Sequence, residues 1–173
     1  MKTLVVLVIA LAVAASGPAH AQRVRNPASG LLQRVEASQS VVPAEVEPGD
    51  EVVLRLSIKP DRGVRVFAPG AKDYAPVVVA IAAAKGLRVG KPTYALPVEE
   101  KNPGNGKKVP LYVRTFDISY AARIDRNAKP GTDIRVSGNL TYQACDDRRV
   151  YPKRTLLVHW TVKVVEPKRK DRK

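Results

Sequence analysis

Alternation of apolar and polar residues is the strongest pattern in this chain of 173 residues. Apolar side chains occupy nearly every second position from Val52 to Ile58, from Ile134 to Tyr142 and from Leu156 to Val164. A strand places successive side chains on opposite faces, so each segment is predicted to be a strand with one buried face. The last two are predicted to pair in antiparallel fashion, with Trp160 in the core.

Shorter extended segments are predicted between these strands. Residues 76–84 are rich in the helix former Ala, but three consecutive Val residues, flanking proline and glycine, and the short length favour a buried strand. Val98 to Lys108 is predicted to be a long polar loop, because two glycine-containing turn pairs interrupt it. Further strands are predicted within residues 31–42, 64–67 and 111–122. Seven or more short strands without a helix predict an all-β sandwich.

The composition limits the class of protein. Apolar residues make up 45% of the chain and charged residues 27%, so the chain can bury a core and is not globally disordered. The length is typical of one domain. One Cys and two His exclude a zinc site built from soft ligands and an internal disulfide. We therefore predict no metal site and no cofactor.

The N-terminal residues have the pattern of a secretory signal. Lys2 precedes an apolar run from Leu4 to Ala15, and Ala19-His20-Ala21 provides a cleavage site of the small-x-small type. The run holds about 12 residues, whereas a transmembrane helix needs roughly 20. We predict a signal peptide at residues 1–21, a soluble mature protein and a periplasmic or secreted location.

Three segments are predicted after the signal. Residues 22–30 form a flexible lead-in, residues 31–166 form the domain, and residues 167–173 form a disordered basic tail in a chain of net charge +14. The tail has two interpretations, attraction to an anionic envelope surface or simple solubilisation. Nucleic acid is not predicted as a partner, because the chain is exported and no aromatic residues alternate with its basic ones.

A short motif near the C-terminal end carries a family resemblance. Tyr142-Gln143-Ala144-Cys145, followed by Tyr151-Pro152, resembles the signature of the periplasmic N-terminal domain of the disulfide reductase DsbD. In that family two cysteines face each other across a hairpin of an immunoglobulin-like sandwich. The resemblance implies the same antiparallel β-sandwich here, with Val150 in the place of the second cysteine. It also puts residues 98–108 in the place of the family's shielding loop, without the aromatic residue of that loop.

The resemblance implies a role for Cys145. Domains of this family pass electrons from a membrane partner to periplasmic thiol proteins, which requires an attacking and a resolving cysteine. Cys145 is therefore the candidate catalytic thiol, and the implied partner is a periplasmic thiol-redox protein or a membrane reductase. The implied contacts with that partner are Tyr142, Gln143, Asp146 and Tyr151. Without a second cysteine, exchange cannot be resolved within this chain.

Two interpretations of Cys145 remain open. An unpaired cysteine commonly packs as a small apolar residue and is inert. Alternation instead puts Cys145 on the strand face opposite the apolar residues, so that a monothiol would face solvent or a partner. Arg148 and Arg149 would favour its thiolate form. Asp146 and Asp147 would oppose that form, and at a hairpin tip they are expected to neutralise the two arginines.

The sequence supports one leading hypothesis and two alternatives. The leading hypothesis is an exported domain of the DsbD N-terminal type that acts as a binding or accessory module in envelope thiol redox chemistry. The first alternative is a monothiol protein that forms a mixed disulfide through Cys145. The second is a noncovalent envelope adhesion or scaffold module. Any catalysis would be limited to thiol-disulfide exchange through one cysteine.

Overall fold

The computed structural model describes residues 34–102 and 105–167. These residues form twelve strands and no helix, so none of them belongs to a helix able to span a bilayer. The predicted signal at 1–21, the lead-in at 22–30 and residues 168–173 of the basic tail lie outside the described residues. In chain order the strands are β1 (Val35–Val42), β2 (Glu45–Val46), β3 (Glu51–Pro60), β4 (Arg65–Phe67), β5 (Val78–Ile81), β6 (Leu87–Tyr94), β7 (Val98–Lys101), β8 (Lys108–Tyr112), β9 (Phe116–Ile124), β10 (Asp133–Tyr142), β11 (Ala144–Cys145) and β12 (Arg154–Val164).

Two four-stranded sheets form the body of the domain. The first has the order β1-β3-β9-β6, and all of its neighbours are antiparallel. The second has the order β2-β12-β10-β5 and is antiparallel except where β2 runs parallel to β12. β10 and β12 pair along their length, from Asp133 opposite Lys163 to Tyr142 opposite Arg154. The predicted antiparallel pair is therefore confirmed.

Side chains from the two sheets share one core. Every second residue of β3 is buried, as its alternation predicted. Trp160 of β12 is 2% exposed, and its Nε1 donates a hydrogen bond of 2.9 Å to the carbonyl of Arg55 in the other sheet. The Tyr120 hydroxyl makes a second such link, donating to the carbonyl of Val79 at 2.8 Å. The fold is an all-β, immunoglobulin-like sandwich, as predicted.

A third, smaller sheet holds a second group of buried residues. Its order is β11-β4-β8-β7, and all of its pairs are antiparallel. The second core cluster consists of Phe67, Ala71, Val109, Leu111 and Cys145. Tyr74 stacks on Phe67 at this cluster, with the ring centroids 4.2 Å apart. This small sheet is what positions the cysteine.

Two details differ from the sequence predictions. The prediction of a long polar loop over 98–108 is wrong, because Val98–Lys101 is the strand β7 and β8 begins at Lys108. β7 is an edge strand with mostly exposed side chains, so it needs no apolar face and its composition is that of a loop. The apolar run over 111–122 is two strands, since β8 ends at Tyr112 and β9 begins at Phe116. The strand predicted within 76–84 is present as β5.

Candidate functional site at Cys145

The chain changes sheets at Gln143, and this change buries Cys145. β10 ends at Tyr142, and the next two residues pair with β4, with Ala144 opposite Val66 and Cys145 opposite Arg65. Ala144 packs in the main core, while Cys145 packs in the second core cluster and is 0% exposed. Of the two interpretations left open for Cys145, the structure shows the packed one, and the side chain does not face solvent. Alternation still holds, but a core lies on each side of β11.

Cys145 and Val150 face each other across the hairpin that follows β11. The two residues form an antiparallel bridge. Flanking backbone bonds run from the Tyr151 amide to the Ala144 carbonyl at 2.8 Å and from the Asp146 amide to the Arg149 carbonyl at 3.0 Å. This pattern defines a non-hydrogen-bonded pair, whose Cα atoms lie about 4.5 Å apart. Two cysteines at such a spacing can form a disulfide, but the site holds one sulfur.

The cation next to Cys145 is Arg65 rather than Arg148 or Arg149. The guanidinium of Arg65 pairs with Glu100 of β7 at 3.3 Å and with Asp147 of the hairpin at 2.7 Å. Its approach to Cys145 was missed because β4 lies far away in the sequence. The available signal was one arginine between two valines in a short strand that is otherwise apolar.

The electrostatic environment keeps the Cys145 thiol protonated. Burial is the largest influence and raises the pKa of the thiol. Arg65 acts in the opposite direction, through its charge and a hydrogen bond, and Asp146 and Asp147 raise the pKa further. The net result is a pKa above the ordinary value for a cysteine. The site therefore offers little thiolate at neutral pH.

Asp146 organises the hairpin tip. Its Oδ1 accepts the backbone N–H groups of Arg148 at 2.8 Å and Arg149 at 2.9 Å, and its Oδ2 accepts a hydrogen bond from the Tyr151 hydroxyl. The Tyr151 bond is the main influence that lowers the pKa of Asp146 to about 2. The expectation that the two acidic residues neutralise the two arginines holds only in part. The charge of Arg149 acts on Asp146, but Asp146 bonds to the backbone of the turn and Asp147 pairs with Arg65.

Gln143 joins the hairpin to the loop that follows β4. Its Oε1 accepts the backbone N–H of Ala75 at 2.9 Å, and its Nε2 donates to the carbonyl of Tyr151 at 2.9 Å. Its backbone carbonyl accepts the N–H of Phe67 at 3.1 Å. Both ends of the Gln143 amide are thus used within the domain, where they hold the second core cluster against the hairpin.

The two tyrosines of the motif lie in different environments. Tyr142 is 2% exposed and packs in the main core, so its side chain presents little surface to a partner. Tyr151 is half-buried, and the guanidinium carbons of Arg34 and Arg149 lie 4.6 Å and 5.1 Å from its ring centroid. The structure brings all the predicted site residues into one region. Partner contact through them stays a prediction.

The described residues define an immunoglobulin-like β-sandwich with one buried thiol beside an arginine. Within residues 34–102 and 105–167, no group of three or more His, Cys, Asp or Glu side chains is arranged to hold a metal ion.

Comparisons with known proteins add likenesses of the fold. No protein-family model and no curated protein matches the chain. The chain is similar to the reduced N-terminal domain of DsbD from Neisseria meningitidis, with 14% identity, a TM-score of 0.40 and coverage of 68% of this chain and 85% of that one. It is also similar to the N-terminal periplasmic domain of ScsB from Proteus mirabilis, with 10% identity, a TM-score of 0.38 and coverage of 74% and 44%.

A pilin subunit shows a comparable likeness. The major pilin BcpA of Bacillus cereus has 10% identity, a TM-score of 0.45 and coverage of 76% of this chain and 40% of that one. The chain spans less than half the length of the ScsB and BcpA chains. Because one architecture serves many functions, these likenesses do not determine what the protein does.

Proposed function

We propose that the protein is an exported module of the DsbD N-terminal type, which binds a partner in envelope thiol redox chemistry without self-resolving disulfide exchange. The observation that carries the proposal is the antiparallel bridge between Cys145 and Val150. These are the two positions at which the sequence resemblance expects paired cysteines. One position holds a thiol, and the other holds a valine that packs against the second core cluster.

The state of the thiol supports binding rather than exchange. Cys145 is buried, and its burial raises the pKa of the thiol. The thiolate is the attacking species in disulfide exchange, and a buried, protonated thiol supplies little of it. Burial would also protect an unpaired cysteine in the oxidising compartment that the signal pattern predicts.

Arg65 supports a second candidate function, that of a monothiol redox protein. Its guanidinium lies against Cys145 and opposes the effect of burial on the thiol pKa. A neighbouring cation activates a cysteine whose thiol is also accessible, so this candidate requires the hairpin to open and expose Cys145. In that case the Cys145 thiolate would attack a partner disulfide, one partner sulfur would leave as a thiolate, and the other would be held in a mixed disulfide with Cys145. A thiol of another protein or of a glutathione-like molecule would then attack that partner sulfur, form a new disulfide with it and release Cys145 as a thiolate.

The proposal includes location and surface contacts. The signal pattern at 1–21 supports a periplasmic or secreted protein, and the basic tail at 167–173 supports contact with an anionic envelope surface. A noncovalent adhesion or scaffold role is the remaining alternative, because the tail would serve that role without Cys145. The proposed partner is a periplasmic thiol-redox protein or a membrane reductase.

Thiol trapping in cells tests the proposal. One portion of cells is treated with a mass-tagged maleimide at neutral pH while the protein is folded. A second portion is quenched with acid, unfolded in denaturant at neutral pH and then treated with the same maleimide. We expect Cys145 to be reduced and to react only after unfolding, and purified wild-type protein to show no turnover of a disulfide substrate without an external thiol. A trapped mixed disulfide at Cys145 would establish the monothiol alternative instead.

A variant separates the binding role from adhesion. Cys145→Ser should bind a purified periplasmic thiol-redox partner as tightly as the wild type does, because the proposed contact is noncovalent. Loss of envelope association on removal of residues 168–173, together with no binding to any thiol-redox partner, would favour the adhesion role. Catalytic turnover by the wild-type protein alone would refute the proposed function.

A further inference from the structure

A cleft of about 240 Å³ lies beside the hairpin that follows β11. It opens where β10 ends and β12 begins, and residues from three separate parts of the chain line it. Ala144 contributes to its lining, whereas Cys145 does not. The residues that matter for its chemistry are Arg34, Arg149, Arg154, Tyr142, Tyr151 and Pro152.

The lining carries three positive charges without an acidic residue. The guanidinium carbons of Arg34 and Arg149 both approach the Tyr151 ring, at 4.6 Å and 5.1 Å from its centroid. Arg154, at the start of β12, is the third. None of the three forms an ion pair with a residue that the structure describes. Like charges gathered at one concave surface repel one another unless an anion joins them.

Two described carboxylates lie near the cleft without lining it, and both act on its surroundings: the charge of Arg149 helps to lower the pKa of Asp146, and the charge of Asp61 helps to raise the pKa of Tyr142. Asp146 accepts the Tyr151 hydroxyl and two backbone amides of its own turn. Burial raises the pKa of Tyr142, Asp61 adds to that effect, and Arg154 opposes it. The segment that precedes Arg34 supplies no counter-charge, because residues 22–33 contain two arginines and no acidic residue. The described residues that line the cleft therefore carry an excess of positive charge, which an anionic ligand would complement.

We propose that this cleft binds a carboxylate presented by an acidic peptide segment of a partner protein. Guanidinium groups bind carboxylates in paired, charge-assisted hydrogen bonds. The ring of Tyr151, which is half-buried, and the face of Pro152 provide apolar contacts that a peptide side chain can cover and a bare inorganic anion cannot. The volume suits one or two side chains. This binding does not depend on Cys145 and extends beyond the proposed redox role.

Fluorescence anisotropy with the full chain tests the proposal. The probe is a fluorescein-labelled peptide of alternating Glu and Leu, and its counterpart carries Gln in place of Glu. We expect the Glu peptide to bind and the Gln peptide to bind at least about tenfold more weakly, since each charge-assisted bond is worth about a factor of ten or more. Arg149→Gln and Arg154→Gln should each weaken Glu-peptide binding by about tenfold.

Arg148→Gln is the matched control. Arg148 is exposed and adjacent in sequence, but it does not line the cleft, so this variant should bind the Glu peptide as the wild type does. An equal loss in Arg148→Gln and Arg149→Gln would show general attraction to a basic protein and would overturn the proposal. So would complete displacement of the peptide by an equal concentration of inorganic phosphate, which would identify a free-anion site. Unchanged binding by Cys145→Ser would separate this site from the thiol.

Discussion

Replacing Val150 with cysteine should create a disulfide across the hairpin. Cys145 and Val150 are a non-hydrogen-bonded antiparallel pair, for which the Cα separation is about 4.5 Å. Disulfides span Cα separations of about 4.4–6.8 Å, so Val150→Cys needs no rearrangement of the backbone. Both side chains contact the second core cluster, and cysteine is slightly smaller than valine.

The expected gain in stability follows from the length of the closed loop. A bond between residues 145 and 150 closes a loop of about six residues, which gives roughly 2 kcal/mol from the reduced entropy of the unfolded chain. For a domain of this size, such a gain raises the Tm by about 4–8 °C. The reduced form of Val150→Cys should gain nothing, because it lacks the bond.

Mass spectrometry and thermal unfolding provide the assay. After mild oxidation, intact Val150→Cys should have lost two hydrogens, and neither thiol should react with a maleimide under denaturing conditions. Thermal unfolding with and without a reductant then gives the change in Tm within one protein. Arg148→Cys serves as the control, because its exposed thiol lies at the hairpin tip and does not face Cys145.

Two results would refute this reasoning. If oxidised Val150→Cys forms only intermolecular dimers, as Arg148→Cys is expected to do, the pairing of Cys145 with Val150 is wrong. If the intramolecular bond forms but lowers the Tm, the hairpin must distort to accept it, and the site does not have the geometry of a disulfide pair.

Three other predictions concern the core, the hairpin turn and the thiol. Trp160→Ala should lower the free energy of unfolding in urea by about 3–5 kcal/mol because it empties a buried position, and a loss below about 1 kcal/mol would contradict its core role. The pKa of Asp146 is lowered from 3.8 to about 2, so its stabilisation of the turn is present above pH 3.8 and is lost as the pH falls through about 2. Amide exchange in the turn should follow this pH dependence, and Asp146→Ala should abolish it. Arg65→Gln should raise the pKa of Cys145 further and shift its alkylation profile to higher pH, whereas Arg62→Gln should leave the profile unchanged.

The strands that could be predicted from the sequence were those with alternating apolar and polar residues. β3, β10 and β12 each have one apolar face, and a period of two along the chain is enough to show a strand with one side in the core. β7 lacked that signal, because an edge strand with exposed side chains has the composition of a loop. The strand break after Tyr112 was missed because Tyr112 and Phe116 share one face of the alternation, and Arg114 between them counted as a single exception on that face.

The sequence could predict which residues belong to the candidate site, but it could not predict their burial or the charges around them. The motif around Cys145 could be found in the sequence, and its family resemblance implied the position of Val150, which the bridge between the two residues bears out. The burial of Cys145 could not be predicted from the sequence. The chain passes from one sheet to another between β10 and β11, and β11 has a core on each side. The cationic cleft was missed because Arg34 is remote in sequence from the other two arginines that line it.

The sequence by itself determined that this protein is a β-sandwich with a single thiol, because the alternation of apolar and polar residues is a local property of the chain. The resemblance of the motif at Tyr142–Cys145 and Tyr151-Pro152 implied that Val150 lies opposite that thiol. The tertiary structure decided which charges surround that thiol. Arg65 and Asp147 lie 82 residues apart in sequence and pair at 2.7 Å beside Cys145. Only the packing of the small sheet against the hairpin brings them together, because burial and charge at a site depend on every segment that folds around it.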